Sequence, residues 1–190
     1  MNIYLYQSWT QKELKNAYIW EYIEQTFTIS NVPNNNSNVY VNIAKSWKPV
    51  KEVTFELTAN NNWGTSSSER DCYFRISWSN NTTNRYGWAA QFYNGGNVNT
   101  FKVLGRINNN ADTEFKTWPS LQTNWINTLK LVIGRDWCTK IVNWASESWT
   151  YTTAEKNIVD TIMNSSTINA YASREWWVTI STVNITVAYS

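Results

Sequence analysis

The chain has 190 residues, a formal net charge of +2 and an aromatic content of 16%. Its length suits one domain that buries a full core without metal or disulfide staples. Its 16 basic and 14 acidic residues are scattered without a basic stripe, which argues against a nucleic-acid partner. No apolar run approaches the roughly 20 residues of a membrane span, and MNIYLYQS lacks the basic and apolar regions of a signal peptide. We therefore expect neither membrane insertion nor a cleaved leader.

Short runs rich in β-branched and aromatic residues alternate with turn-forming clusters along most of the chain. In chain order the predicted strands are QTFTISN, NVYVNIA, VKEVTFELT, CYFRISWS, YGWAAQFY, NTFKVLG, NTLKLVIG, CTKIVN, SWTYT and VTISTVNITVAYS. Asn-, Ser- and Gly-rich segments such as NVPNNNSN, SNNTTN and YNGGN separate them and suit turns. About ten short strands joined by polar turns predict an all-β antiparallel sandwich.

One short helix is predicted near residues 153–164, within TTAEKNIVDTIMNS. Thr152 or Thr153 can cap its first turn. We expect the helix to cover a sheet edge or an open end of the sandwich. Its apolar face consists of Ile158, Ile162 and either Val159 or Met163.

Two features of the composition limit the chemistry. The chain contains no histidine, which removes the commonest metal ligand and the usual base of Ser-His and Cys-His arrangements. Any catalysis would therefore rest on carboxylates. Cys72 and Cys138 either pair across neighbouring strands or remain two buried thiols.

The strand order after residue 72 resembles a known β-sandwich family. The segments FRISWSNNTTNRYGWAAQF, FKVLGRI, LKLVIGRDWCTKIVNWASESW and VTISTVNITVAYS follow one another as in the concanavalin A-like (laminin G-like) jelly roll. In that family a hairpin with an Asp-Gly bend precedes the later strands, and the last strand pairs beside the first. The resemblance covers residues 25–190 and implies a two-sheet antiparallel jelly roll, without a catalytic signature.

Residues 1–24 resemble a different group of proteins. MNIYLYQSWTQKELKNAYIWEYIE is similar to the N-terminal segment of many phage tail and virion proteins, and KELKNAYI is its most specific string. The resemblance implies an N-terminal strand that acts as an attachment segment, partners among virion or tail subunits, and a location in the extracellular virion. Homo-oligomers are common among tail appendages. Trp20 stands where that pattern has glycine.

Tryptophan also occupies two predicted bends. Trp137 stands where a two-residue Asp-Gly turn has glycine with φ > 0, and Trp144 where the jelly-roll pattern ends in Asn-Gly. The chain has 13 Trp against 6 Gly, whereas glycine is normally about 7% of residues. Because UGA is read as Trp in some bacterial lineages and as Gly in others, we hypothesise that several of these residues are natural glycines. If they are true tryptophans, we expect a wider loop at Asp136 and some surface rings that stack on sugars.

The sequence argues against an enzyme. Glycosidases of this fold carry E-x-D-x-x-E on one strand, which sets two carboxylates about 5–5.5 Å apart, and this motif is absent. Glu69 and Asp71 are the nearest pair and are interpreted as a solvated strand start. Asp112 and Glu114 would suit calcium, but Asn-rich loops such as NNNADTE are usually plain turns. We expect no catalytic residues, no metal site and no cofactor.

Alternation in CYFRISWS and YGWAAQFY predicts a candidate binding face. One face of these strands supplies core residues, namely Phe74, Ile76, Trp78, Tyr86, Trp88, Ala90 and Phe92. The other is expected to be an open sheet face on which planar donors and aromatic rings could hold a polar ligand such as a glycan. The candidate ligand-binding residues are Tyr73, Arg75, Gln91 and Tyr93, with Arg85 framing the same region.

Together with the two resemblances, this face predicts a non-enzymatic virion or tail module that contacts host-surface carbohydrate. An ordinary polar outer face remains the alternative for the site. A purely structural decoration or spacer protein is the runner-up function, and a glycoside hydrolase-like enzyme is a less favoured third.

Overall fold

The computed structural model describes residues 2–14, 17–32, 39–43, 48–61, 71–78, 84–92, 99–108, 110–118, 126–174 and 178–190. These residues form thirteen strands and one helix. In chain order the elements are β1 (Asn2–Leu14), β2 (Ala17–Ser30), β3 (Val39–Ile43), β4 (Val50–Asn61), β5 (Asp71–Trp78), β6 (Arg85–Phe92), β7 (Asn99–Arg106), β8 (Thr113–Trp118), β9 (Ile126–Gly134), β10 (Trp137–Val142), β11 (Ala145–Thr150), α1 (Thr153–Met163), β12 (Ile168–Arg174) and β13 (Val178–Tyr189).

Two antiparallel sheets enclose one hydrophobic core. The seven-stranded sheet has the order β1-β2-β13-β4-β9-β10-β11, and the six-stranded sheet has the order β3-β12-β5-β6-β7-β8. The last strand, β13, lies between β2 and β4, so the end of the chain pairs beside early strands. The predicted all-β, two-sheet antiparallel jelly-roll sandwich is confirmed.

The core forms because side chains alternate across each strand. In β4, Phe55 and Leu57 are buried, whereas Glu56 and Thr58 between and beside them are exposed. Each large aliphatic or aromatic side chain buried in this way contributes about 1.5–3 kcal/mol. The predicted core residues Phe74, Ile76, Tyr86 and Trp88 are buried. The prediction is wrong for Trp78, which ends β5 and is 44% exposed, and the side chains of Ala90 and Phe92 lie outside the description.

The predicted helix is confirmed as α1. Thr152 is its N-cap, and Thr152 and Glu155 form a reciprocal capping box. The apolar face joins the sandwich core, and the helix contacts β5, β6 and β7. Among the described ranges, no helix has the length and apolarity to cross a membrane. The buried apolar residues of the helix are Ile158, Val159, Ile162 and Met163.

Two strands were not predicted. All residues of β12 except Arg174 are buried, so INAYASR shows no alternation between apolar and polar positions. In β8 no residue is fully buried, and TEFKTW has only a weak apolar pattern. Both strands belong to the six-stranded sheet, in which β12 lies between β3 and β5.

The N-terminal strand β1 pairs along its whole length with β2. However, β2 pairs with β13 only from Glu24 to Ser30. Residues 17–23 and their partners in β1 therefore form a two-stranded ribbon beyond the paired part of β13. The division of the chain into residues 1–24 and 25–190 stays a prediction.

The bend between β9 and β10 differs from the expected turn. The strands are joined by Arg135 and Asp136 alone, and Trp137 begins β10. The expectation of φ > 0 at both central positions is wrong, because the described non-glycine residues with positive φ are Asn31, Asn108 and Asn143. The wider loop expected at Asp136 is not found either.

The turn between β10 and β11 places its left-handed residue on asparagine. Asn143 has φ 54, donates its backbone N–H to the Thr128 carbonyl (2.7 Å) and accepts from the Thr128 N–H at Oδ1 (3.0 Å). Asparagine tolerates this conformation, so the backbone does not require glycine at Trp144. The structure therefore gives no support to natural glycines at Trp137 or Trp144, and the identity of their codons stays a prediction.

The two cysteines do not form a disulfide. Cys72 lies on β5 and Cys138 on β10, so they belong to different sheets, and both are buried thiols. Burial raises the pKa of the Cys138 thiol well above its ordinary value. The thiol is therefore protonated at neutral pH and is not a nucleophile.

Candidate functional site

The outer face of the six-stranded sheet gathers polar side chains from neighbouring strands. Tyr171 on β12 lies opposite Arg75 on β5, which lies opposite Gly87 on β6. Arg85, two residues before Gly87, lies opposite Arg106 on β7. Because alternate residues of a strand share a face, these side chains point to the same side of the sheet.

Arg75 is the most deeply buried charged group on this face, with 3% of the residue exposed. Its Nη1 donates to the hydroxyl of Tyr171 over 3.5 Å, and its Cζ lies 4.4 Å from the centre of the Tyr73 ring. Within the described residues, no group accepts a hydrogen bond from Arg75 Nε. A buried donor without an acceptor costs about 1–3 kcal/mol.

Gly87 provides the room that Arg75 occupies. Its φ is +153°, a conformation open to glycine and strained for other residues. A Cβ at this position would lie 2.2 Å from the Phe74 carbonyl oxygen and 2.7 Å from Arg75 Cα. Glycine is therefore required directly opposite Arg75.

Asp112, in the segment before β8, joins two of the arginines. Arg85 Nε donates to Asp112 Oδ1 at 2.9 Å, and Arg85 Nη2 contacts Oδ2. Arg75 Nη1 lies 3.6 Å from the same Oδ2. One carboxylate thus serves two guanidinium groups.

The electrostatics agree with this arrangement. Burial alone would raise the pKa of Asp112, but the hydrogen bond from Arg85 and the charges of Arg75, Arg85 and Arg106 outweigh it and lower the pKa. Burial and then the charge of Arg85 lower the pKa of Arg106. Asp112 is therefore ionised at neutral pH, beside three cations.

The neighbouring row of the face carries a separate ion pair. Lys102 Nζ lies 3.1 Å from Glu114 Oε2. Glu114 also accepts a hydrogen bond from the Thr117 hydroxyl at 2.7 Å, and these two contacts lower its pKa. Lys102 therefore forms its ion pair with Glu114 rather than with the group around Arg75.

Three of the five predicted ligand-binding residues come together. Tyr73 contacts Arg75. Arg85 contacts Asp112, which is also a partner of Arg75. The expectation of an open face is wrong for Arg75, because Asp112, Tyr73 and Tyr171 surround its guanidinium. The side chain of Gln91 and all of Tyr93 lie outside the described residues.

Sequence reasoning missed Asp112 and Tyr171 as members of this group. Tyr171 lies on β12, the strand whose burial on both faces removes the alternation signal. Asp112 was considered only as a calcium ligand, and its partner Arg85 precedes it by 27 positions, a distance that no local pattern bridges. In the described part of the chain, no three His, Cys, Asp or Glu side chains form a group that could hold a metal ion.

A polar groove lies on the outer face of the other, seven-stranded sheet. Its volume is about 140 Å³. It lies beside the register shift in β13 between Ile180 and Val183. Most of its lining side chains are hydroxyls or amides, and it lacks the guanidinium groups of the first face. The lining residues are Glu56, Leu57, Thr58, Thr128, Ser181, Thr182 and Asn184.

No protein-family model and no curated protein matches the chain. Solved structures share its fold. The galectin LEC-6 from Caenorhabditis elegans is 14% identical, with a TM-score of 0.53 over 83% of this chain and 94% of the galectin. Lactose- and MES-liganded congerin II is 8% identical, with a TM-score of 0.50 over 78% of this chain and 99% of congerin II.

An enzyme also shares the fold. The fructofuranosidase of Schwanniomyces occidentalis, complexed with fructose, is 10% identical, with a TM-score of 0.56. The match covers 96% of this chain but only 40% of the fructofuranosidase. At these identities the similarities establish the sandwich architecture, and function has to be argued from the site.

Proposed function

We propose that the chain is a non-enzymatic carbohydrate-binding module that binds its ligand at the outer face of the six-stranded sheet. The observation that carries this proposal is Arg75, a buried guanidinium beside two tyrosines with an Nε that has no acceptor within the described residues. The sandwich shared with a galectin and with lactose-liganded congerin II supports it.

The chemistry of this face suits saccharides. A guanidinium offers donors in a fixed plane, which sugar hydroxyl and carbonyl oxygens can accept. Tyr73, which is partly exposed beside Arg75, supplies an aromatic ring for the apolar side of a pyranose. The ligand would supply an acceptor for Arg75 Nε, for which the described residues offer none.

A glycoside hydrolase-like function is the alternative, because a fructofuranosidase shares the fold. Such enzymes need one carboxylic acid and one free carboxylate on either side of the scissile bond. On this face, Asp112 is bound by Arg85, and Glu114 is bound by Lys102 and Thr117. Glu69 and the side chain of Asp71 lie outside the described residues. Release of reducing sugar from a bound glycan, lost on Glu69→Gln or Asp71→Asn, would favour the enzyme.

A glycan array tests the binding proposal. We expect the wild-type chain to bind a subset of glycans, and Arg75→Ala to weaken that binding at least about tenfold. Ser181→Ala, in the groove of the seven-stranded sheet, is the matched control and should bind as the wild type does. Binding that survives Arg75→Ala but disappears with Ser181→Ala would move the site to the other sheet. An array without any signal would contradict the proposal.

We further propose that the module is carried on a virion or tail, where it contacts host-surface carbohydrate. The string KELKNAYI at residues 12–19 and the β1–β2 ribbon that contains its described residues 12–14 and 17–19 support this proposal. Electron microscopy of particles that carry a tagged chain would test it, because the tag should decorate the tail or capsid. A flat glycan array, together with particles in which the module packs tightly on neighbouring subunits, would favour the structural spacer function.

A further inference from the structure

We propose that the ligand of this face carries a carboxylate, so that the module prefers acidic saccharides, such as those containing uronic acids, to neutral ones. This inference rests on the proposed function, because it names the ligand class of the same site.

The balance of charge supports an acidic ligand. Arg75 and Arg85 both reach the single carboxylate of Asp112. The nearby Lys102 pairs with Glu114 instead. Within this group of three described residues, two guanidinium charges therefore face one carboxylate charge.

The geometry favours a carboxylate as the anion. Arg85 holds Asp112 through two parallel contacts, one from Nε and one from Nη2, the planar fork that matches a carboxylate. Arg75 lacks this arrangement, since Nη1 reaches only one oxygen of Asp112 and Nε has no acceptor within the described residues. A ligand carboxylate would give Arg75 the partner that Arg85 already has.

Asp112 also limits the affinity for such a ligand. Its side chain is 21% exposed, whereas that of Arg75 is 4% exposed, so the Asp112 carboxylate lies closer to solvent than the guanidinium it contacts. An incoming carboxylate therefore approaches past a like charge. Neutralising Asp112 without changing its shape should strengthen binding of an acidic saccharide.

Calorimetry with paired ligands tests the inference. Each probe is one uronic-acid or sialic-acid oligosaccharide in two forms, the free acid and its methyl ester, which share every ring and linkage. We expect the wild type to bind the acid at least about tenfold more tightly than the ester, and added salt to weaken binding of the acid alone. Arg75→Met should remove the preference. Asp112→Asn should bind the acid more tightly than the wild type does, a gain that misfolding cannot produce.

The outcomes separate this inference from the proposed function. If esters or neutral glycans bind as tightly as the acids, and Arg75→Met weakens both equally, the acidic preference is wrong while the binding module stands. Stronger binding of sulfated saccharides than of carboxylated ones would also overturn it. If no saccharide of either kind binds, both proposals fail.

Discussion

Two buried polar groups in this molecule differ in how far the fold satisfies their hydrogen bonds. Inside the sandwich, the fully buried Glu155 carboxylate accepts hydrogen bonds from Tyr86 Oη (2.9 Å), Trp149 Nε1 (3.2 Å), Thr152 N (2.9 Å) and Thr152 Oγ1 (3.0 Å). On the outer face, the buried Arg75 has an Nε without an acceptor among the described residues. The fold therefore satisfies the hydrogen bonds of the first group, whereas within the described residues one donor of the second group stays unsatisfied.

The interior group ties the helix to both sheets. Glu155 Oε2 caps the first turn of α1, while Oε1 accepts from Tyr86 on β6 and Trp149 on β11. Burial, with smaller contributions from neighbouring groups, raises the pKa of Tyr86 far above its ordinary value. The tyrosine hydroxyl therefore stays protonated and remains a donor to the carboxylate.

Glu155→Gln should have the largest effect, because it keeps the size of the side chain but turns an amide donor toward the donors that surround Glu155. We expect the free energy of unfolding to fall by about 3 kcal/mol, because the amide nitrogen replaces one carboxylate oxygen and the buried donors that it faces lose their acceptor. Urea denaturation measures the change. Asp136→Asn is the control, since that side chain is 78% exposed near the same helix end, and it should change stability by less than about 0.5 kcal/mol. Equal stability of the two variants would show that the interior group contributes no more than a surface pair.

Arg75→Met tests whether Arg75 serves ligand binding rather than the stability of the fold. Asp112 keeps its two contacts with Arg85 when Arg75 is replaced, and methionine fills a similar volume without a donor that needs an acceptor. We expect the free energy of unfolding to stay within about 1 kcal/mol of the wild type, while glycan binding falls at least about tenfold. The same protein sample serves for urea denaturation and calorimetry. A loss of stability as large as that of Glu155→Gln would mean that Arg75 is a structural residue.

The ion pair of Asp112 should make a smaller contribution to stability, and that contribution should depend on pH. Its pKa is lower in the folded state, so its contribution to stability is present above its ordinary pKa of about 3.9 and is lost as the pH falls through the folded-state value. We expect the wild type to lose more stability than Asp112→Asn when the pH is lowered below about 4. The difference should be under about 1 kcal/mol because Asp112 is partly exposed. Parallel stability curves for the two proteins would argue against an ion pair at this position.

The sequence predicted what depends on local pattern. Alternation placed Phe74 and Ile76 in the core and Tyr73 and Arg75 on the opposite face, and it gave the sandwich as a whole. The helix followed from its cap and apolar face. The spacing Thr152-x-x-Glu155 is the sequence signature of a capping box, and it was an available signal for Glu155 that went unused.

What the sequence could not predict depends on contacts between distant residues. Asp112 meets Arg75 and Arg85 only because the strands β5 and β6 and the segment before β8 converge on one face. Tyr171 lies on a strand that is buried on both sides and so lacks alternation. The predicted bend at Trp144 was wrong for a different reason. The left-handed conformation belongs to Asn143 and not to the tryptophan beside it.

Two tryptophans on the same hairpin show how far the interior group extends. Trp149 is 9% exposed, donates to Glu155 and packs 5.3 Å from Trp118, whereas Trp144 is 98% exposed at the turn. We expect Trp149→Phe to lower the free energy of unfolding by about 1–2 kcal/mol, because Glu155 loses a donor and buried area is lost.

Trp144→Gly should change stability by less than about 0.5 kcal/mol, since little packing is removed and the φ of this residue is not positive. A stabilisation above about 1 kcal/mol in urea denaturation would instead mean that the turn is strained by tryptophan, as the codon hypothesis requires. A UGG codon at position 144 would exclude that hypothesis for this residue.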